Sequence, residues 1–244
     1  QFITGCGSIE LFATLGKKRI GVVRGGRSLN DQLKAKIEKL AEESGAELRY
    51  IAQIRNEPYI EDIFRCMDEV REFEPDMILA IGGGSVLDTA KAIHLFYENP
   101  EMSFEEATIP YALPALGKKA IHVAVPTTSG TGSETTSCAV FIDPETKTKK
   151  LLLDNTIIPH YAILDADMTD SLPTSITVAT GLDALTHSIE ASTAMNASAM
   201  TRAIAMEAAV DILENLEAAA KEGEMTEEKK AAREKMHIAS GLAG

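Results

Sequence analysis

The chain has few basic residues and few cysteines, and each shortage excludes a class of protein. Only 24 lysines and arginines face 37 aspartates and glutamates, which gives a formal net charge of -13 at pH 7. Without an excess of positive charge to neutralise phosphates, we expect neither a nucleic-acid partner nor a membrane-surface partner. The three cysteines, Cys6, Cys66 and Cys138, lie far apart and form no C-x-x-C pair, which predicts a reducing cytoplasm.

Long apolar runs and leader features are also missing. No apolar run is long enough to span a bilayer, and the start of the chain lacks the basic and apolar regions of a signal peptide. The first residue is not methionine, and the helical pattern that begins at Thr226 stops at Gly244 without a polar tail. These two features predict that the chain is truncated.

What remains is the composition of a folded globular protein. Apolar residues make up 45% of the sequence and charged residues 25%. With 244 residues the chain can bury a substantial core, and its length allows one large domain or two ordinary ones.

Strand and helix patterns alternate over the first part of the chain. This alternation predicts a parallel sheet with crossover helices, with strands at 19–23, 48–51, 77–81, 121–125 and 161–164 and helices from 30 and over 59–73. Residues 139–142 and 150–153 flank a turn and predict a hairpin. Beyond Pro173 only helical patterns follow. We therefore predict an α/β domain over residues 1–172 and an all-α domain over 173–244.

The stretch at residues 77–92 (MILAIGGGSVLDTAKA) contains a strand, a glycine-rich turn and a helix that begins at Ser85. Glycines allow an anionic group to approach the backbone N–H groups at a helix start, where the helix dipole favours negative charge. Ser85 and Asp88 also match a capping box, which would close the helix without a ligand. The glycines lack the spacing of the dinucleotide fingerprint and of the P-loop, so both interpretations stay open.

A second polar stretch follows the strand predicted at 121–125. Residues 127–134 (TTSGTGSE) place five hydroxyl side chains and two glycines in eight positions. Hydroxyls and glycine amides can hold phosphate or ribose oxygens at the carboxyl ends of parallel strands. The alternative is an ordinary Ser/Thr-rich surface loop.

Within the helical part, Asp183 and His187 are four residues apart and share one helix face. A carboxylate oxygen and an imidazole nitrogen at this spacing can bind one divalent metal ion. Such a pair is also common as a simple hydrogen bond. The remaining histidines, at 94, 122, 160 and 237, are interpreted as structural.

Three motifs in this order carry a family resemblance: Gly82–Ser85 with Asp88 and Lys91, then residues 126–134, then residues 181–187 (GLDALTH). Together they resemble the iron-dependent (group III) alcohol dehydrogenases. The resemblance implies a Rossmann-like nucleotide-binding α/β domain followed by an all-helical domain, with the active site in the cleft between them. It also implies a homodimer.

The resemblance assigns site residues by matching positions. It implies that the cofactor is held by Gly82, Gly83, Gly84, Ser85, Asp88, Thr127, Thr128, Thr131, Thr136, Cys138 and Lys149. Asp183 and His187 match two of four metal ligands, for Fe²⁺ or another divalent metal such as Zn²⁺. The other two are histidines whose positions fall beyond Gly244. No catalytic side chain is assigned beyond the metal ligands.

The implied reaction is hydride transfer between a small alcohol or aldehyde and a nicotinamide cofactor, with the metal as Lewis acid. Many NAD-preferring relatives carry an acid after the first strand, whereas this chain has Gly25, flanked by Arg24 and Arg27. Their guanidinium groups favour NADP. Two alternatives remain: a truncated nucleotide-binding module without activity, and a lyase of the dehydroquinate-synthase type.

Overall fold

The computed structural model describes residues 1–26, 29–54 and 57–244. Over these residues the strands are β1 (Phe2–Thr4), β2 (Arg19–Gly25), β3 (Glu47–Ile54), β4 (Met77–Gly82), β5 (Ile121–Pro126), β6 (Cys138–Ile142), β7 (Lys149–Leu153) and β8 (Tyr161–Leu164). Six of them form one sheet in the order β1-β8-β5-β4-β2-β3, and each neighbouring pair is parallel. β6 and β7 form the predicted antiparallel hairpin.

The helices of the described ranges are α1 (Asp31–Glu43), α2 (Ile60–Arg65), α3 (Met67–Phe73), α4 (Gly84–Glu98), α5 (Phe104–Ala107), α6 (Thr174–Thr193), α7 (Ala199–Ala220) and α8 (Glu227–Ala243). None of the helices in this part of the chain combines the length and the apolarity needed to cross a membrane.

β4 lies in the middle of the sheet and is buried at every position. Ile78 and Ala80 pack with the buried face of α4, while Met77 and Leu79 belong to the core on the opposite face, with α1. Apolar side chains on both faces are what a central parallel strand requires, because helices cover the sheet on both sides. The prediction of an α/β fold with a parallel sheet is therefore confirmed.

Two details of the predicted helices and strands differ from the structure. The single helix predicted over 59–73 is wrong: α2 ends at Arg65, the Cys66 thiol donates to the Ile63 carbonyl, and α3 starts at Met67. β1 was not predicted, because a strand of three residues carries too little pattern. It is defined by its pairing with β8, more than 150 residues away in sequence, as in the register of Phe2 with Ala162.

Beyond Pro173 the described chain contains helices and no strands, as predicted. α6, α7 and α8 pack around a small core of mainly alanine side chains. Small side chains allow helix axes to approach closely, so this core is compact despite its low content of large residues. The domain boundary near Leu172 stays a prediction, consistent with the start of α6 at Thr174.

One buried arginine ties α8 to the segment between the sheet and α6. Arg233 is 3% exposed, and its guanidinium donates to the carbonyl oxygens of Ala219, Thr169 and Leu172. Burial lowers the pKa of this group from its usual value, with nearby Asp170 opposing the change. Arg233 therefore joins α7, α8 and the chain that leads into α6.

Candidate active site

The N-terminus of α4 lies directly after the carboxyl end of β4, and Gly83 is its N-cap. No side chain caps it, so of the two interpretations left open by the sequence, the capping box of Ser85 and Asp88 is not formed. The carboxylate of Asp88 accepts hydrogen bonds from Ser133 Oγ and from the Val140 backbone N–H instead. An uncapped helix start leaves N–H groups and the positive end of the helix dipole available to an anion.

The glycine turn brings α4 close to the hydroxyl-rich loop. A Cβ atom at Gly84 would lie 2.7 Å from Thr131 Cγ2, and one at Gly82 would lie 2.5 Å from Val86 Cγ2. A side chain at Gly84 would push the loop away from the helix, and one at Gly82 would push the end of β4 away from the first turn of α4. The glycines therefore allow the close approach that forms the site.

The loop at residues 127–134 is largely buried, so the alternative of an exposed surface loop does not describe it. Ser129 Oγ lies 2.9 Å from His237 Nδ1 on α8. Thr135, just after the loop, donates from its hydroxyl to the carbonyl of Gly241 on the same helix. A Cβ at Gly130 would lie 2.8 Å from the Thr180 carbonyl of α6. Part of the hydroxyl-rich stretch therefore joins the sheet to the helices.

A buried ion pair on α4 holds the segment that follows the loop. Lys91 is fully buried and its Nζ donates to the Thr136 carbonyl, the Thr136 hydroxyl and the Cys138 carbonyl. Its Nζ lies 3.9 Å from Asp88 Oδ1. Burial lowers the pKa of Lys91 to about 8 and raises that of Asp88. Burial also raises the pKa of the nearby Glu134 to about 7.

Two cavities open on either side of the α4 N-terminus, and both are lined by Gly84 and Ser85. The first, which we call the helical-side cavity, measures about 660 Å³ and is bounded on one side by α6. The second, the sheet-side cavity, measures about 880 Å³ and reaches Gly25 and Gly26 at the end of β2. Their shared wall makes one cleft along the carboxyl edge of the sheet, where α/β folds bind ligands.

The predicted site residues divide between these cavities. The helical-side cavity is lined by Gly84, Ser85, Asp88, Thr131, Thr136, Cys138, Lys149, Asp183 and His187. The sheet-side cavity is lined by Gly83, Gly84, Ser85, Thr127 and Thr128. Gly82 lines neither cavity and ends β4.

Other lining residues were not predicted. They include Ser133 and Glu190 in the helical-side cavity and Gln53, Leu172 and Pro173 in the sheet-side cavity. Ser133 belongs to the hydroxyl-rich stretch, so its composition was a usable signal. The others come from separate elements and carry no local motif.

Asp183 and His187 lie together on α6, with Asp183 Oδ1 3.8 Å from His187 Nε2. His187 Nδ1 is buried without a hydrogen-bond partner, so the ring retains a nitrogen for another contact. A carboxylate oxygen and an imidazole nitrogen suit Fe²⁺ or Zn²⁺, so the donor types fit the expected metal. Within residues 1–26, 29–54 and 57–244, no three His, Cys, Asp or Glu side chains are arranged to hold a metal ion.

Comparison with known proteins decides the family. The family model described as iron-containing alcohol dehydrogenase matches residues 2–166, and that of the Fe-containing alcohol dehydrogenase C-terminal region matches residues 177–244. The chain belongs to the iron-containing alcohol dehydrogenase family. The family predicted from the three motifs is thus confirmed.

Relatives within the iron-containing alcohol dehydrogenases include the NADPH-dependent butanol dehydrogenase of Clostridium saccharobutylicum. It is 40% identical over 98% of this chain and 61% of the relative. The bifunctional aldehyde-alcohol dehydrogenase AdhE of Escherichia coli (strain K12) is 35% identical over 97% of this chain and 27% of its own length. The chain thus spans less than two thirds of these relatives.

Solved structures of iron-containing alcohol dehydrogenases share the fold along the whole chain. The enzyme from Thermococcus thioreducens matches with a TM-score of 0.89 and 32% identity, covering 100% of this chain and 64% of that one. A 1,3-propanediol oxidoreductase matches with a TM-score of 0.88 and 30% identity, covering 100% and 63%. The predicted sheet domain followed by helices is therefore the arrangement of this family.

The contact between Ser129 and His237 leads to a prediction for acid stability. His237 is fully buried, and burial lowers its pKa from 6.5 to about 4. The unfolded chain takes up this proton at a higher pH, so stability from the neutral ring is lost as the pH falls from about 6.5 towards 4. We expect the urea midpoint of the wild type to fall more steeply over this range than that of His237→Asn, whose amide can bond Ser129 without titrating.

Comparing the wild type with His237→Asn also controls for His122, another buried histidine. His122 is buried with its pKa lowered well below the usual value by burial and by His94 and Lys91, and it is present in both proteins. Its contribution therefore cancels in the difference. Equal pH dependence in the two proteins, followed by circular dichroism, would show that His237 does not titrate on unfolding.

Proposed function

We propose that this chain forms the cofactor-binding part of a metal-dependent, NAD(P)-linked alcohol dehydrogenase or aldehyde reductase. One observation carries the proposal: the cleft at the start of α4 runs from Gly25 and Gly26 on one side to Asp183 and His187 on the other. A dinucleotide with its pyrophosphate at Gly84 and Ser85 would extend into both cavities.

The two cavities are lined by different side chains, and this difference indicates which half of the cofactor each cavity binds. The helical-side cavity contains the metal-donor pair, so the nicotinamide ring belongs there, next to the alcohol. The sheet-side cavity contains Thr127 and Thr128, whose hydroxyls suit the adenosine half. Hydride would pass from the alcohol carbon to C4 of the nicotinamide, giving an aldehyde and a proton, or in the reverse direction.

The roles of the chain's own residues follow from this orientation. N–H groups at Gly83, Gly84 and Ser85 bind the pyrophosphate, and Thr131, Thr136, Cys138 and Lys149 surround the nicotinamide side together with Asp88. Asp183 and His187 hold the divalent metal, Fe²⁺ or alternatively Zn²⁺. When bound, the metal supplies a Lewis acid that polarises the alcohol or aldehyde oxygen.

The remaining expectations belong to the same proposal. A small primary alcohol or aldehyde is the substrate class, the protein acts in the cytoplasm, and two copies form a homodimer. The butanol dehydrogenase relative is named for NADPH, and the sequence here favours NADP over NAD as well. Arg27, part of that argument, lies outside the described residues.

Arg24 supplies a test of the cofactor preference. It is the penultimate residue of β2, and its Nη2 donates to Gln53 Oε1 at 2.8 Å, beside the sheet-side cavity that Gln53 lines. We expect Arg24→Ala to weaken NADPH binding about tenfold, because a charged hydrogen bond to the 2′-phosphate is lost. NADH binding should change by less than about twofold. Isothermal titration calorimetry of both cofactors measures the difference.

A matched control is Arg202→Ala, which removes an exposed arginine from α7 far along the chain. It should leave both affinities unchanged. Equal affinity of the wild type for NADPH and NADH would contradict the preference, whatever Arg24→Ala does.

Activity separates the proposed function from its two alternatives. A dehydrogenase converts NADP⁺ to NADPH with a primary alcohol, which is followed by absorbance at 340 nm, whereas a dehydroquinate-synthase-like lyase gives no net cofactor turnover. A nucleotide-binding module without activity would bind cofactor but retain no metal. Nucleotide binding without metal retention or turnover would therefore reject the proposal.

A further inference from the structure

Three histidine rings meet at the edge of the sheet opposite to the cleft, beside the last turns of α4. His94 belongs to α4, His122 is the second residue of β5, and His160 directly precedes β8. The ring centroid of His94 lies 5.8 Å from that of His122 and 5.7 Å from that of His160. At these distances a proton gained by one ring disfavours a proton on the others.

Glu98, the last residue of α4, binds the loop that leads into β5. Its carboxylate accepts the backbone N–H groups of residues 117–120, which we call the carboxylate-binding loop, at 2.9 to 3.2 Å. His94 Nε2 lies 3.3 Å from Glu98 Oε1 and 2.9 Å from the Ala120 carbonyl oxygen. Although burial opposes the change, the hydrogen bonds from His94 and the loop lower the pKa of Glu98 to about 2. The loop is therefore bound to an ionised carboxylate.

His160 holds the residues after this loop only in its neutral form. Its Nδ1 accepts the His122 backbone N–H at 3.1 Å, so this nitrogen bears no proton. Gly117 packs against the same ring, because a Cβ there would lie 2.5 Å from His160 Nε2. An imidazolium ring carries a proton on both nitrogens and could not accept the His122 N–H.

The surroundings of His160 favour this neutral form. Burial and then His94 lower the pKa of His160, whereas Glu98 raises it. The amino group of Gln1 and the ammonium group of Lys17 add smaller effects that lower it. A proton on His160 is thus disfavoured in the folded chain by desolvation and by neighbouring positive charge.

His122 is even less suited to carry a charge. Its ring is 1% exposed, and neither ring nitrogen has a hydrogen-bond partner among the described residues. Burial lowers the pKa of His122 well below 6.5, and His94, Lys91 and His160 act in the same direction. Protonation of this ring therefore requires that it first reach water.

We propose that His122 and His160 form an acid-sensitive latch on the carboxylate-binding loop, which opens when these two rings take up protons. Opening exposes both rings to water, so their pKa values return towards 6.5 and the open form binds protons that the closed form does not. The closed form is therefore favoured above pH 6.5 and is lost as the pH falls below it. This latch stands apart from the cleft and does not depend on the proposed function.

Hydrogen exchange of the whole chain, followed by NMR, measures this opening. A buried histidine whose pKa rises to 6.5 on opening increases the open population about tenfold between about pH 7.5 and pH 5.5. After correction for the intrinsic pH dependence of exchange, we expect the protection of the N–H groups of residues 118–120 and of His122 to fall about tenfold to hundredfold. α1 contains no histidine and should lose much less protection, which makes it the internal reference.

Substitutions separate the two rings from the rest of the protein. In His160→Asn the amide oxygen can accept the His122 N–H but does not titrate, so the fall in protection should be smaller. The double variant with His122→Phe should show almost no fall. His237→Asn is the matched control, because it removes a buried histidine on α8, and it should leave the fall at residues 118–120 unchanged.

Three results would overturn the latch. One is protection of the carboxylate-binding loop that does not change with pH in the wild type, and another is a double variant with the full response of the wild type. The third is a His237→Asn protein whose response is reduced as much as that of the double variant, because exchange would then report global unfolding. If the double variant does not fold, His160→Asn alone decides, and an unchanged fall in that variant rejects the proposal.

Discussion

Replacing Asp183 with alanine is expected to lower metal-dependent turnover by about 10³-fold. The substitution removes the carboxylate of the donor pair on α6, and among the described residues no third donor is arranged to replace it. Polarisation of the substrate oxygen by the metal is worth several kcal/mol, and each ~1.4 kcal/mol is a factor of ten in rate. His187→Ala should have an effect of the same size, because it removes the other donor.

Two measurements check this result. Metal content after dialysis, determined by mass spectrometry, should fall in both variants together with alcohol-dependent NADPH formation. Nucleotide binding should persist, because the turn at Gly84 and Ser85 is untouched. Glu190→Gln is a matched control: it removes a carboxylate from the same helix and the same cavity and should keep both metal and turnover. Full metal content in Asp183→Ala would show that this residue is not a ligand.

Replacing Arg233 with methionine should lower the free energy of unfolding by about 3 kcal/mol or more. The guanidinium is almost fully buried and donates to three backbone carbonyls on two segments. Methionine fills much of the volume but leaves the carbonyls of Ala219 and Leu172 without this donor, while the Thr169 carbonyl keeps the Leu172 N–H. Each buried unpaired polar group costs ~1–3 kcal/mol. Arg233→Lys should recover only part of the loss, since one ammonium cannot replace the planar fork.

Urea denaturation followed by circular dichroism at 222 nm suits this test, because the chain has no tryptophan to report by fluorescence. Arg202→Met is the matched control: this arginine is exposed on α7, and its loss should change stability by less than ~0.5 kcal/mol. An Arg233→Met protein as stable as the control would show that the Ala219 and Leu172 carbonyls find other partners or water.

Local patterns predicted much of the sheet, and they predicted an anion site at the turn before α4, where the structure has a cleft. The uninterrupted apolar run of β4 predicted a buried strand, and the glycines after it predicted a turn that admits an anion. Both features depend on residues adjacent in sequence, so they can be recognised without the fold. The capping box at Ser85 failed for the complementary reason. Asp88 bonds to Ser133 and Val140, which are distant in sequence and offer a buried carboxylate stronger contacts than a cap.

The composition of the hydroxyl-rich loop did not predict which of its residues line a cavity. Its residues predicted a phosphate or ribose site, but composition could not show that Ser129 and Gly130 would pack against helices while Thr127 and Thr128 would line a cavity. That division depends on the helices α6 and α8, which lie far along the chain. The role of Arg233 in joining the helices was likewise not predicted, because its acceptors are backbone carbonyls, which every residue carries.

The sequence by itself therefore determined the class of fold and the family, and it predicted that Asp183 and His187 share one helix face, because these features depend on residues close together along the chain. Only the tertiary structure decided that two cavities share one wall at Gly84 and Ser85, and that Lys91 and Asp88 hydrogen-bond to Thr136 and Ser133. Burial is the physical reason. A charged side chain buried away from water forms hydrogen bonds with the groups that the fold brings near it. These groups can be far away in sequence, so no local sequence pattern indicates them.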